Sequence, residues 1–193
     1  MKPKDNPFRA QRIDSVRYRF LDSDWDFVRL RLHQLAYHAA IVGPEGSGKT
    51  TLQLELAEHL RQQGRTICWL RLRRDNRPQH ALLVTQFVDA FHPGAIAFVD
   101  GAEQLGRWQW RRLLTQLPNR SGVVITTHSQ RHLPTLLHCH TSPELLRYIV
   151  AELAPTISPS LSDELPVLYR NHRGNIRDCL RELYDRVAEM PLS

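Results

Sequence analysis

The chain has 193 residues, of which 41% are hydrophobic and 24% charged, with a net charge of +6 and a pI of about 9.6. This is the make-up of one ordinary folded domain with room for a small appendage, and it excludes a disordered chain. The longest apolar runs are strand-length, far short of the ~20 residues that cross a bilayer, and the polar start "MKPKDNPFRAQR" lacks the apolar core of a signal peptide.

A cytoplasmic protein without a membrane partner is therefore expected. The three cysteines, Cys68, Cys139 and Cys179, stand far apart with no CxxC spacing. They read as buried small side chains in a reducing compartment, and they form no zinc pattern. The basic balance permits nucleic acid or another acidic partner without requiring one.

In chain order, an irregular arm to about Asp22 leads into a helix capped by Ser23 or Asp24. "AAIVG" then reads as a buried strand ending in glycine. "TTLQLELAEHLRQQG" places Leu52, Leu56 and Leu60 on one helical face and stops at Gly64. "RTICWLRL" is a second strand, "HALLVTQFVDAF" a helix, "GAIAFVDG" a third strand and "EQLGRWQWRRLLTQL" a helix ended by Pro118. "GVVITTH" is a fourth strand and "LLHCH" a candidate fifth.

Strand alternating with helix predicts an α/β fold with a parallel sheet and right-handed crossovers. After Thr141 the periodicity is helical throughout, in "SPELLRYIVAEL", "LSDELPVLYRNH" and "GNIRDCLRELYDRVAEM". The expected organisation is an N-terminal arm and helix (1–34), an α/β core (35–140) and a small helical lid (141–193).

The most specific signal lies between the first strand and its helix: Gly43-Pro44-Glu45-Gly46-Ser47-Gly48-Lys49-Thr50, which fits GxxxxGK[ST]. Such a loop wraps nucleotide phosphates with successive backbone amides. Glycine is used because side chains would block that approach and positive φ is often needed. The following helix aims its N-terminal amides and dipole at the anion. Lys49 is placed to reach the β- and γ-phosphates, the Thr50 hydroxyl to ligate Mg²⁺, and Thr51 continues the first turn beside them. ATP and Mg²⁺ are the expected ligands.

A carboxylate near the metal is also needed, and Asp100 ends the apolar run of the third strand. The bland alternative is a helix-capping aspartate. The attacking water needs a base or orienting group. The residue after Asp100 is Gly101, so Glu103 is the nearest glutamate, and it can either swing toward the γ-phosphate or cap the helix.

Thr126 and Thr127 end the fourth strand, where a hydroxyl faces the ligand crevice of such a sheet. They can hold water or phosphate, or serve strand propensity alone. His128 can share that role, report pH, or be an exposed loop histidine. Near the C-terminus, Asn175 reads as the cap of the last helix. Arg177 stands in its first turn, where a cation opposes the dipole. It can meet a phosphate or pair with Asp178.

Together these residues resemble the P-loop ATPases of the AAA+ type and the related helical-lid branch with origin-recognition and STAND-like ATPases. Gly43 to Thr50 look like Walker A, Ile96 to Asp100 like Walker B, and "DGAEQL" is similar to a Walker B segment with its catalytic glutamate displaced. Thr126, Thr127 and His128 fall at sensor 1, and "HRGNIRD" is similar to the sensor 2 segment, putting Arg177 on the lid arginine.

The resemblance spans roughly residues 35–190. It implies a three-layer sandwich with strand order 5-1-4-3-2 and a lid that touches nucleotide. The core is shorter than is usual in that family. Arg120 and Arg131 flank the sensor 1 strand, but type and position alone do not make either an arginine finger, so ring assembly is not implied.

The expected activity is slow Mg²⁺-dependent hydrolysis of the β–γ bond, with Lys49, Asp100, Glu103 and Thr127 as catalytic residues, controlling a protein partner. The alternative is a nucleotide switch or scaffold without turnover, which Gly101 favours. A small-molecule kinase, lacking an evident arginine-rich acceptor lid, and a nucleic-acid-stimulated ATPase rank lower. "RWQWRRLL" (107–114) offers indoles and arginines for nucleic acid, or simply a solvated helix face with Trp110, Leu113, Leu114 and Leu117 as its buried stripe.

Overall fold

The strands form where β-branched and small apolar residues run together: β1 (His38–Val42), β2 (Ile67–Arg71), β3 (Ile96–Asp100), β4 (Gly122–Thr127) and β5 (Thr135–His138). The computed structural model describes residues 5–118, 121–130 and 133–189. Arg120 and Arg131 lie outside the described residues. Every strand pair is parallel, and the order is β2-β3-β4-β1-β5. Counted from the β5 edge this is 5-1-4-3-2, the expected sequence of strands. The result is an all-parallel α/β sandwich of the Rossmann-like or P-loop-like kind.

The helices are α1 (Ala10–Ile13), α2 (Trp25–Gln34), α3 (Lys49–Gln62), α4 (His80–Asp89), α5 (Arg107–Gln116), α6 (Pro143–Leu153), α7 (Ser158–Leu161), α8 (Leu165–Asn171) and α9 (Ile176–Glu189). They group with the strands into two compact units. One gathers the chain up to Tyr18, Pro44–Gly48 and the chain from His140 onward. The other holds Arg19–Gly43 and Lys49–Cys139.

In the sheet unit, strand alternation sorts the core. Ala40, Val42, Ala97, Val99, Val123 and Ile125 cluster with Val84 of α4 and with Trp110 and Leu113 of α5. The intervening Ile41, Phe98 and Val124 are equally buried and point to the opposite face, and α3 packs along β1 to β4. Strands covered on both sides read as unbroken apolar runs, which is why polar alternation is missing from them. Asp24 caps α2, its carboxylate accepting from the Phe27 amide at 2.7 Å.

In the helical unit, Leu146 and Val150 of α6, Leu165 and Leu168 of α8, and Ile176, Leu180, Leu183 and Val187 of α9 form one core, joined by Phe8 of the arm. Asn6 ties the arm down, its side-chain amide donating to the Tyr184 carbonyl at 2.8 Å.

Three local expectations change. The arm contains the one-turn helix α1. The segment 103–117 is not one helix: a 3₁₀ turn over Ala102–Gln104 is followed by extended Leu105 and Gly106, and α5 starts at Arg107. Gly106 caps α5, its amide donating to Gln109 Oε1 at 3.0 Å. In "LSDELPVLYRNH" only Leu161 belongs to α7 and the helix α8 starts at Leu165, because Pro166, in the first turn of α8, lacks the amide needed to continue a preceding helix.

Candidate functional site

The C-terminal ends of three strands converge on one edge of the sheet. Val42 pairs with Thr127 in the β1–β4 register, and the Gly43 amide donates to the Thr127 carbonyl at 3.1 Å. In α/β sheets this carboxyl edge is where ligands bind. β3 delivers Asp100 to the same edge, its carbonyl accepting from the Leu72 amide at 2.9 Å.

Around Asp100 a hydrogen-bonded cluster forms within the sheet unit. The Thr126 hydroxyl donates to Asp100 Oδ1 at 2.6 Å and itself accepts from the Gly101 amide at 2.9 Å. The Thr50 hydroxyl lies 3.2 Å from Oδ1 and 3.3 Å from Oδ2. Asp100 caps no helix: the 3₁₀ turn after it has Gly101 at its N-cap and no side-chain cap bond. Lys49, at the first turn of α3, is buried, and its ammonium donates to the Gly43 carbonyl at 2.7 Å.

These residues fit the ligands that the motif implies. A hydroxyl and a carboxylate within about 3.3 Å of each other are the hard oxygen donors Mg²⁺ takes, usually one or two from the protein. The loop before α3 has the backbone of an anion cradle, with Gly46 at φ +73° and Gly48 at φ +81°. Ser47 is buried, its hydroxyl closing the turn on the Pro44 carbonyl at 2.9 Å. Pro44 and Glu45 are exposed at its tip, and Thr51 is half-buried in α3.

Thr127 is buried at the end of β4, and its hydroxyl donates to the Ser129 carbonyl at 3.1 Å. Glu103 sits in the 3₁₀ turn and caps neither that turn nor α5. Its Oε1 lies 3.3 Å from His128 Nε2. Its Oε2 is buried without a hydrogen-bond partner among the described residues.

In the helical unit, Asn175 caps α9: its Oδ1 accepts from the Asp178 amide at 3.3 Å and its Nδ2 donates to Asp178 Oδ2 at 2.7 Å. Arg177 is exposed and lines a cavity of about 960 Å³ with Phe8, Arg9, Arg181 and Tyr184. The ion pair of Asp178 is with Arg181, at 3.7 Å.

Two relationships escaped sequence reasoning. Gly46 packs against the Asn175 cap, and Gly48 against the ring of Tyr18, which a Cβ would meet at 3.2 Å. Tyr18 lies in an irregular arm and carries no pattern that could have pointed to it. The Arg–Trp segment divides as a helix face should: Trp110 is buried, while Trp108 is 84% exposed between Arg107 and Arg111.

No protein-family model matches the chain, and no curated protein matches it. Among solved structures, the chain is similar to PCH-2 of C. elegans, with 15% identity over 86% of this chain and 67% of that chain and a TM-score of 0.46.

Proposed function

We propose that this chain is an ATP-binding P-loop protein of the AAA+ type and a slow Mg²⁺-dependent ATPase whose nucleotide state controls a partner through the C-terminal helices. The observation that carries the reading is the meeting of Thr50 and Asp100 at the carboxyl edge of the sheet, with the Lys49 ammonium folded over the start of the glycine loop.

In this reading the amides of residues 43–50 and Lys49 hold the phosphates, and Arg177 is the arginine of the helical unit that meets nucleotide. Thr50 and Asp100 hold Mg²⁺, which supplies charge neutralisation on the phosphate oxygens when bound. Glu103 accepts the proton of the attacking water. A bond forms from water oxygen to the γ-phosphorus as the bond from that phosphorus to the β–γ bridging oxygen breaks, and the electron pair stays on the β-phosphate. Thr127 flanks the same edge from β4.

The test is equilibrium binding of a fluorescent ATP analogue, with and without Mg²⁺, alongside phosphate release. Lys49→Ala is expected to weaken binding by tenfold or more and to abolish release. Wild-type binding unaffected by that substitution would sink the reading. A second reading, a switch without turnover, is favoured by Gly101 in the place of a glutamate. It predicts Mg²⁺-dependent binding with no phosphate release above the Lys49→Ala background.

A further inference from the structure

The residue after Asp100 cannot carry a base. Gly101 adopts φ +80°, and a Cβ there would lie 2.3 Å from the backbone carbonyl oxygen of Leu72, whose amide is bonded to the Asp100 carbonyl. Any side chain at 101 faces both a disfavoured backbone and a collision that no rotamer change relieves. A carboxylate serving this edge must therefore come from further along the turn. Glu103 is where the 3₁₀ turn over Ala102–Gln104 delivers one.

A glutamate on a short turn has three side-chain torsions to fix, and a base that is free to wander loses most of its effect. An imidazole lies beside this one. His128 stands directly after β4, whose Thr126 already holds Asp100, and its Nε2 lies 3.3 Å from Glu103 Oε1. One carboxylate oxygen thereby lies within ion-pair distance of the imidazole. The other, Oε2, is buried with no partner among the described residues. Leaving a carboxylate oxygen buried and unpaired is costly, and such costs concentrate where function requires them.

From this geometry we infer that His128 is a positioning residue: it holds Glu103 through Oε1, so that Oε2 is the oxygen left to accept the proton of the attacking water. The inference rests on the hydrolytic reading above. It assigns His128 no contact with nucleotide.

The experiment has two arms. In nucleotide-free protein, side-chain ¹⁵N spectra report the ten histidines. Glu103→Gln is expected to move the His128 ring signals and leave the others in place. In steady-state phosphate release, His128→Ala is expected to lower kcat about tenfold or more with KM unchanged, and His128→Gln, which can still donate to Oε1, to recover most of that loss. Thermal melts of both variants separate misfolding from misplacement.

Failure is distinguishable in each arm. Release abolished by Glu103→Gln but indifferent to His128→Ala overturns the role of His128 alone. Histidine spectra blind to Glu103→Gln overturn it as well. Release undiminished by Glu103→Gln, or absent from the wild type, overturns the hydrolytic reading and this role with it.

Discussion

A methyl group placed on Gly46 would lie 2.0 Å from Asn175 Oδ1 and 3.0 Å from the Ile176 amide nitrogen. The glycine of the phosphate loop is therefore demanded twice, by its φ of +73° and by the cap of α9 that rests on it. Gly46→Ala is expected to destabilise the fold by about 1–3 kcal/mol, combining left-handed strain with the collision. Asn175→Ala alone should cost about 1 kcal/mol through the lost cap. In the double variant the clash with Oδ1 is relieved, so the two costs should sum to more than the measured total. Urea denaturation of the four proteins checks this, and strict additivity would show that the contact does not govern the choice of glycine.

Thr126 ties the turn after β3 to the Asp100 carboxylate. Its hydroxyl bridges the Gly101 amide and Asp100 Oδ1, so its first effect is on the carboxylate. Thr126→Val keeps the shape, leaves the buried amide unpaired and frees the carboxylate. A loss of about 1–3 kcal/mol is expected, together with a rise in the Mg²⁺ concentration needed for nucleotide binding. Thr126→Ser should restore both. A valine variant with wild-type Mg²⁺ dependence would place the metal elsewhere.

Glu182 gives a pH dependence of known sign. The His172 ring, 2.6 Å from its Oε2, and then Arg186 hold its carboxyl below the usual range. A carboxyl with a lowered folded value adds stability above its unfolded pKa of about 4.3, and that stability is lost as pH falls through the folded value. The site is about one-third exposed, so the contribution is small, about 0.5 kcal/mol. Glu182→Gln should be less stable than wild type by that margin at pH 7, and the gap should close as the pH falls through the folded value. A gap that widens on acidification would contradict the assignment.

The thiols should respond unequally. Burial, aided by the neighbouring Asp178 charge, pushes the Cys179 thiol up to about 11, and Cys139 is also buried, whereas Cys68 is partly accessible. Since the thiolate is the reactive form, a thiol reagent at pH 8 should label Cys68 in the native protein and reach the other two only on unfolding. Mass spectrometry of the labelled peptides decides it. Native labelling of Cys179 at the rate of Cys68 would mean that α9 opens far more readily than its packing implies.

Local patterns alone were enough for the strand–helix alternation, the glycine loop, the cap at Asn175 and the apolar stripe of α9, and they narrowed the cap of α2 to Ser23 or Asp24. Each depends on residues within a turn or two of one another, and chirality and periodicity act at that range. Asp100 and Thr50 were legible as chemistry from residue type and motif spacing. Their approach to 3.2 Å belongs to tertiary structure, because the parallel order places β3 and β1 on either side of β4. The same holds for Glu103, whose sequence position allowed both capping and catalysis. Gly106 took the capping role, and folding brought His128 beside the glutamate from 25 residues downstream. Propensity acts along the chain, whereas a carboxylate's neighbours are set by which strand ends share an edge, and sheet packing alone decides that.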